Sequence, residues 1–244
     1  MLIKSKIKYI QSLGQKKLRD EENAFIAEGP KIVKELLEAK NTGVAEVYAL
    51  PGWIAENKKF LSQTDVVEIT EMELERISQL TTPNKVLAIV KKFDVNENIA
   101  TRGKVTLVLD TIQDPGNFGS IIRTADWFGV DQIVCSKDCT DMYNPKVVQS
   151  TMGSIARVKI IYTDLKEWLT AQKDIRIYAT VLDGQNISTA KKIQEGIIII
   201  GNESKGISDE LLKFANIKIT IPKKGKAESL NAVVAVGVVL GYLV

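Results

Sequence analysis

Hydrophobic and polar positions alternate along the chain in blocks that have the length of single strands or helices. Short apolar runs rich in β-branched residues predict strands, and apolar residues three and four positions apart predict helices. In the first 90 residues these patterns predict helices at 3–18, 30–39 and 71–79, and strands at 25–27, 44–50, 66–69 and 86–90. Such alternation is typical of a small α/β domain.

The second half repeats the alternation after a polar stretch. Strands are predicted at 105–109, 132–135, 158–161, 175–181, 197–200 and 217–221, and a helix at about 117–128. Strands separated by helices predict a parallel sheet covered on both faces. The chain is therefore predicted to be an α/β protein with an N-terminal domain at 1–95, a linker at 96–104 and a C-terminal domain at 105–244.

Charge is nearly balanced over the 244 residues, with 33 basic and 30 acidic side chains and a net charge of +3, so the total does not indicate a nucleic-acid partner. The distribution is more informative. Residues 1–19 contain no acidic side chain and carry Lys4, Lys6, Lys8, Lys16, Lys17 and Arg19. Such a local field attracts phosphates, although a solvated helix face would have the same composition.

Two residue types limit the chemistry. The chain has no histidine, which excludes Ser-His-Asp and Cys-His catalysis and histidine-bound metals. Cys135 and Cys139 are the only cysteines and lack the partners of a zinc site or a disulfide framework. We therefore expect no metal. With no apolar signal core and no run as long as a membrane helix, we expect a cytoplasmic protein without membrane association.

Two glycine-containing loops each follow a predicted strand. Residues 201–206 follow the run 197–200, and residues 222–231 follow the run 217–221. Neighbouring parallel strands end at the same edge of a sheet, where open α/β sheets bind ligands. Taken alone, the first loop could serve turn geometry only, and Ser229-Leu230-Asn231 could be a helix cap before an apolar C-terminal helix.

A third cluster lies at the start of the helix predicted at 117–128. Asn117 is suited to cap this helix, and Gly119 permits close approach of another backbone. Arg123 could face the same sheet edge as the two glycine loops, or it could pair with Asp126 or another surface carboxylate.

Together and in this order, the three clusters resemble the motifs of the SpoU/TrmH-type RNA ribose 2′-O-methyltransferases. They are N-x-G-x-x-x-R at 117–123, G-x-E-x-x-G at 201–206 and P-x-x-G-x-x-x-S-L-N at 222–231. The first half resembles the small substrate-binding domain often fused to these enzymes. That likeness rests on Lys16, Lys17, Arg19 and the run Phe25-Ile26-Ala27-Glu28-Gly29.

The resemblance implies a C-terminal domain with a deep trefoil knot, a homodimer formed through that domain, and S-adenosylmethionine as cofactor. It places the cofactor against Thr180, Val181, Leu182, Gly201, Asn202, Gly206, Ile221 and Leu230, with the glycines letting the backbone approach the ligand. It assigns catalysis to Arg123, Asn117, Glu203, Ser229 and Asn231, and RNA binding to Lys16, Lys17 and Arg19.

The family's motif arginine is often assigned as the proton acceptor. A guanidinium has a pKa above about 12 and resists deprotonation. Binding of a phosphate and stabilisation of the developing alkoxide suit Arg123 better. Asn117, Glu203, Ser229 and Asn231 would orient Arg123 and the ribose.

The expected reaction is methyl transfer to a ribose 2′-hydroxyl, with ribosomal RNA favoured by analogy of the N-terminal domain. Transfer RNA is the alternative substrate, and a non-catalytic RNA-binding or ribosome-assembly factor is the alternative function. A doubly wound oxidoreductase fits worst, because the loop after the strand at 105–109 lacks the G-x-G-x-x-G pattern. RNA specificity rests on surfaces that no local motif reports, so the motifs leave the target nucleotide open.

Overall fold

The computed structural model describes residues 1–39, 42–62, 64–94 and 99–244. Two compact units contain them. Unit 1 comprises Met1–Asp94 and Asp141–Arg157, and unit 2 comprises Val95–Thr140 and Val158–Val244. Residues 96–98 of the predicted linker lie outside the described residues, and the division at 96–104 stays a prediction.

The helices are α1 (Lys4–Ser12), α2 (Lys16–Glu21), α3 (Pro30–Glu38), α4 (Pro51–Asn57), α5 (Glu71–Ile77), α6 (Pro115–Trp127), α7 (Pro145–Thr151), α8 (Leu165–Thr170), α9 (Asp209–Leu212) and α10 (Ala232–Leu243). The strands are β1 (Ala24–Glu28), β2 (Val44–Ala49), β3 (Asp65–Glu68), β4 (Val86–Lys91), β5 (Val105–Leu109), β6 (Gln132–Ser136), β7 (Lys159–Thr163), β8 (Ile177–Asn186), β9 (Gly196–Ile200) and β10 (Ile217–Thr220). Short 3-10 turns occupy Lys58–Phe60, Ser154–Ala156 and Ile187–Thr189.

Unit 1 is built on a mixed sheet in the order β1-β4-β2-β3. The pairs β1–β4 and β4–β2 are antiparallel, and β2–β3 is parallel. Helices α1 and α5 bury an apolar stripe on this sheet, where Ile10 and Ile77 are fully buried. Helix α5 begins with a capping box in which Thr70 and Glu73 bond each other's backbone N–H groups. The small α/β domain predicted for this half is present.

The single helix predicted at 3–18 is instead two helices, because the chain turns at Leu13 and Gly14. A Cβ on Gly14 would lie 3.2 Å from the Gln11 carbonyl oxygen, so there is little room for a side chain at this turn. The carbonyls of Leu13 and Gly14 accept hydrogen bonds from Nη1 of Arg19 at 3.0 and 2.8 Å. The Arg19 side chain therefore satisfies acceptors that the interrupted helix leaves open.

The environment of Arg19 differs from that of a phosphate-binding residue. Its side chain is 2% exposed, and its Nη2 donates to Oδ2 of Asp141 at 2.6 Å in a largely buried ion pair. Lys16 and Lys17 are exposed. The expectation that Arg19 binds RNA is therefore wrong, because the buried guanidinium bonds to groups of unit 1. Its ion pair links α2 to the segment that begins at Asp141.

That segment, Asp141–Arg157, is an addition to unit 1 that the sequence patterns did not indicate. Tyr143 stacks on Phe25 with ring centroids 4.8 Å apart, and its hydroxyl accepts a hydrogen bond from the Phe93 backbone at 2.9 Å. Arg157 forms an ion pair with Glu35 at 2.5 Å. Aromatic packing and ion pairs therefore fix both ends of the segment to unit 1.

Unit 2 is built on a sheet in the order β10-β8-β9-β5-β6-β7, and every ladder in it is parallel. Strand β9 is buried along its whole length, as are the last four residues of β5. Continuous apolar runs are expected for strands covered on both faces, and the parallel sheet predicted for this half is confirmed. Because all strands run the same way, the loops after β5, β8, β9 and β10 meet at one edge.

Among the described residues, no helix is long and apolar enough to cross a bilayer. The same residues contain no grouping of cysteine, aspartate and glutamate side chains that could hold a metal ion.

Candidate active site

A cavity of about 770 Å³ opens at the carboxyl edge of β8, β9 and β10. The loop after each of these strands contributes to its wall. The residues expected to contact the cofactor all line it, namely Thr180, Val181, Leu182, Gly201, Asn202, Gly206, Ile221 and Leu230. Glu203 and Ser229 line it as well. The structure thus brings together the two glycine loops and a stretch of β8.

An irregularity in the β8–β10 ladder shapes one wall of the cavity. Ala179 pairs with Lys218, whereas the next β10 residue, Ile219, pairs with Gln185. Residues 180–184 therefore bulge between two consecutive partners on β10. A Cβ on Gly184 would lie 2.8 Å from the Ile219 carbonyl carbon, so the glycine permits this close approach. The bulge carries Thr180, Val181 and Leu182 to the cavity.

Gly201 and Gly206 are required by the loop's own geometry. A Cβ on Gly201 would lie 2.2 Å from backbone atoms of Gly206 and Ile207. Gly206 has φ +71°, a left-handed conformation that favours glycine. The backbones of Asn202 and Gly206 pair across the turn at 3.0 and 2.9 Å. The returning chain therefore occupies the space of a Cβ at Gly201, while the expectation that the Gly201 backbone approaches a ligand stays a prediction.

Apolar side chains stand open at the mouth of the cavity. Leu182 is 81% exposed and Leu230 is 46% exposed, and both line the wall. Large exposed apolar side chains around a concave surface are typical of a ligand site, because the bound molecule removes them from water.

Asn117 connects all three motif clusters. Its Nδ2 donates to Oε1 of Glu203 at 2.7 Å, and its Oδ1 accepts from Nδ2 of Asn231 at 3.0 Å. Oδ1 of Asn231 in turn accepts the Val233 backbone N–H and caps α10. Each amide uses its donor and its acceptor, so the chain of hydrogen bonds fixes the orientation of both side chains.

Asn117 does not cap α6, contrary to the sequence expectation. The helix begins at Pro115, and Asp114 is the cap, with its Oδ1 accepting the Asn117 N–H at 2.7 Å. Asp followed by Pro is a strong start signal, since Asp accepts the free N–H and Pro fits the first turn. With the cap supplied by Asp114, the Asn117 side chain is free to reach Glu203.

The side chain of Asn202 links the loop after β9 to the loop after β5. Nδ2 donates to the Thr111 carbonyl at 2.8 Å, and Oδ1 accepts the N–H groups of Ser204 and Lys205. Asp110, which sequence reasoning missed, accepts the Ser208 N–H at 2.9 Å. Any contact of Asn202 with a ligand would therefore use its backbone. The position of Asp110 directly after a buried strand was the available signal.

Two buried thiols, Cys135 and Cys139, lie next to the loop after β5. Sγ of Cys139 accepts the Ile112 N–H at 3.3 Å. A hydrogen bond from Cys135 lowers the pKa of Cys139 to about 7, and burial raises the pKa of Cys135. Both cysteines are free thiols and belong to the scaffold of the site.

Three of the predicted catalytic residues, Asn117, Arg123 and Asn231, are not part of the cavity wall, and of these only Arg123 lies outside the hydrogen-bonded series with Glu203. It lies exposed on α6 and is not part of the cavity wall. No ion pair or hydrogen bond of its guanidinium with another described residue is found.

Comparison with known families gives matches to both halves. The model of the SpoU rRNA Methylase family matches residues 104–241. The model of the MRM3-like substrate binding domain matches residues 4–88.

Individual relatives match over nearly the full length. The 23S rRNA (guanosine(2553)-2′-O)-methyltransferase RlmP of Bacillus subtilis is 29% identical over 241 residues, which are 98% of this chain and 95% of that protein. A structure described as a putative RNA methyltransferase of the TrmH family from Porphyromonas gingivalis is 33% identical with a TM-score of 0.88, covering 99% of this chain and 98% of its own. An AdoMet-bound rRNA methyltransferase from Sinorhizobium meliloti is 29% identical with a TM-score of 0.88, covering 99% and 95%.

Proposed function

Because the chain belongs to the SpoU rRNA methylase family, we propose that it transfers a methyl group from S-adenosylmethionine to a ribose 2′-hydroxyl of ribosomal RNA. The observation that carries the proposal is the hydrogen-bonded series Glu203–Asn117–Asn231 beside the cavity. This series joins one polar residue from each of the three motifs. A protein that only bound RNA would not need these three side chains to be linked beside the cavity.

The residues of the cavity fit S-adenosylmethionine. Leu182, Ile221 and Leu230 offer apolar surface for a flat ring, and Leu182 and Leu230 are exposed. Main-chain groups of the bulge at 180–184 lie beside this surface and can bond ring nitrogens and hydroxyls. We assign the adenosine part to the wall formed by Thr180, Val181, Leu182, Ile221 and Leu230, with the Gly201–Gly206 loop closing one side.

When bound, S-adenosylmethionine supplies the activated methyl group. The chain must then hold the ribose hydroxyl in line, stabilise its negative charge as the proton leaves, and exclude water. We assign orientation of the ribose to Asn117, Glu203, Ser229 and Asn231. Arg123 is assigned to the phosphate beside the ribose and to the developing alkoxide, because its guanidinium is exposed and without a partner among the described residues.

The choice of ribosomal RNA is supported by the relatives and by the match of unit 1 residues to a substrate-binding domain. Lys16 and Lys17 are exposed on α2, and we assign them to the RNA surface of that domain. Residues 1–95 would then deliver the RNA, and residues 105–244 would carry out the transfer.

A homodimer through the C-terminal domain is supported by an exposed apolar face. Trp127 on α6 is 85% exposed, and Val234 and Tyr242 on α10 are 51% and 49% exposed. The two helices pack together, with Gly237 against Thr124 and Gly241 against Phe128. Helix α10 contains no charged residue, so every face of it favours burial. A second copy covering this face would remove the apolar surface from water.

Two further parts of the proposal follow from family membership. We propose that the C-terminal segment threads to form a trefoil knot, supported by the likeness to the solved TrmH-type structure. We also propose a cytoplasmic location, where the free thiols of Cys135 and Cys139 stay reduced.

The test is methyl transfer in vitro. Purified protein is incubated with radiolabelled S-adenosylmethionine and deproteinised ribosomal RNA from cells lacking the gene, and the RNA is digested to nucleosides. The label is expected in a single 2′-O-methylnucleoside. Label in a base-methylated nucleoside, or no label, would contradict the proposal.

A further inference from the structure

We infer that Lys223, Lys224 and Lys226 bind RNA backbone phosphates at the mouth of the cavity, so that unit 2 itself contributes to RNA affinity. The inference rests on the proposed methyl transfer, because that reaction brings a ribose to this mouth. It adds a phosphate-binding surface to the one assigned to Lys16 and Lys17 on unit 1.

The position of these lysines follows from the sheet. Strand β10 ends at Thr220, and residues 222–226 leave the sheet at its carboxyl edge. All three lysine side chains are exposed, and Lys223 and Lys224 line the cavity. Lys205 lines the same cavity from the loop after β9. Cationic side chains thus approach the mouth from two neighbouring loops.

The charges of these lysines are not neutralised within the described residues. None of Lys223, Lys224 and Lys226 has an ion pair or a hydrogen bond there, whereas Lys104 and Lys166 of unit 2 are paired with Asp131 and Glu210.

Lysines outnumber carboxylates in the segment that follows β10. Residues 222–228 hold three lysines and one carboxylate, Glu228. Glu203, Asp209 and Glu228 also line the cavity, so the excess of positive charge belongs to the exposed segment 222–226 and not to the whole wall. An exposed segment with an excess of positive charge attracts an anionic ligand.

RNA supplies that anion at the required place. A ribose within an RNA strand carries a phosphate on each side, so a 2′-hydroxyl presented to the cavity brings phosphates to the mouth. Lysine suits this task because its flexible stem and compact charge need no fixed geometry. Such contacts hold the RNA without reading its sequence.

The experiment compares two triple variants with equal loss of charge. The mouth variant is K223Q/K224Q/K226Q. The control is R102Q/K173Q/K213Q, whose exposed positions precede β5, β8 and β10 and therefore lie at the opposite edge of the sheet. Filter binding of deproteinised ribosomal RNA is measured from 50 to 200 mM salt, and S-adenosylmethionine binding is measured by calorimetry.

Each lost phosphate contact lowers the slope of log affinity against log salt by roughly 0.7 for single strands, so the mouth variant should lose about 2 from the slope. The ratio of the variant's Kd for RNA to the wild-type Kd should therefore be about 20-fold smaller at 200 mM salt than at 50 mM salt. The control should keep the wild-type slope. The Kd for S-adenosylmethionine should stay within about twofold in both variants.

Equal slopes for the mouth variant and the control would overturn the inference. A weaker Kd for S-adenosylmethionine with unchanged RNA binding would also overturn it, and would assign the lysines to the cofactor's carboxylate. Failure of the proposed function is distinguishable, because it would show as absent methyl transfer by the wild type while RNA binding is read directly.

Discussion

Asn117 donates to Glu203 at 2.7 Å, and this hydrogen bond joins helix α6 to the loop after β9 across 86 positions of the sequence. Since Asn117 also accepts from Asn231, one amide links α6 to the loop after β9 and to the start of α10. Hydrogen bonds of this kind preorganise a site, because their partners need not reorient during the reaction.

Replacement of Asn117 by Asp places two carboxylates at hydrogen-bond distance. At neutral pH their repulsion should lower kcat by about tenfold or more, more than Asn117→Ala does. As pH falls, one carboxyl takes up a proton and becomes a donor, so the kcat of N117D relative to N117A should rise from pH 8 to pH 5.5. A ratio that is constant over this range would contradict the assigned contact.

The glycines at 201 and 225 form a matched pair for testing the glycine loops. A Cβ at Gly201 would lie 2.2 Å from the backbone of Gly206, whereas a Cβ at Gly225 would have nothing within 4 Å. We expect Gly201→Ala to destabilise the protein by about 1–3 kcal/mol and to weaken S-adenosylmethionine binding, because the loop must shift. Gly225→Ala should change neither property. Urea unfolding measures the stability, and calorimetry measures the binding of S-adenosylmethionine. Equal effects of the two substitutions on these properties would contradict the account.

Arg19 should matter for stability more than for RNA contact. Arg19→Ala removes the buried partner of Asp141 and should lower the free energy of unfolding by about 3–5 kcal/mol. Lys16→Ala, at an exposed position of the same helix, should lower it by less than about 0.5 kcal/mol. Denaturant unfolding provides the measurement. A loss of unfolding free energy for Arg19→Ala as small as that for Lys16→Ala would show that the Arg19 guanidinium does not stabilise unit 1.

The proposed dimer face can be tested with a single charge. Val234→Glu would bury an unpaired carboxylate between two copies at a cost of about 2–5 kcal/mol, which raises the dimer dissociation constant at least about thirtyfold. Met72→Glu is the control, since Met72 is 68% exposed on unit 1. Analytical ultracentrifugation should show dissociation of the first variant only. An intact V234E dimer would exclude this face as the interface.

Sequence reasoning succeeded where the determining contacts are local. The β-branched runs of β5 and β9 identify strands buried on both faces, and the alternation with helices predicts the parallel sheet. The motif loops follow from that sheet, because parallel strands end at one edge.

The failures concern contacts between residues far apart in sequence. The burial of Arg19 depends on Asp141, 122 positions away, and the bulge at 180–184 depends on pairing with β10. No local pattern reports either contact. The cap of α6 is different, since Asp114-Pro115 is a local signal, and it leaves Asn117 free for Glu203.

The central claim is tested most directly by mapping ribose methylation of total RNA at single-nucleotide resolution. Cells lacking the gene are compared with the same cells carrying the wild-type gene or Arg123→Ala. The account predicts one 2′-O-methyl mark in ribosomal RNA that is lost without the gene, restored by the wild type and not restored by R123A, although purified R123A binds S-adenosylmethionine as tightly as the wild type. No lost mark, or full restoration by R123A, would contradict it.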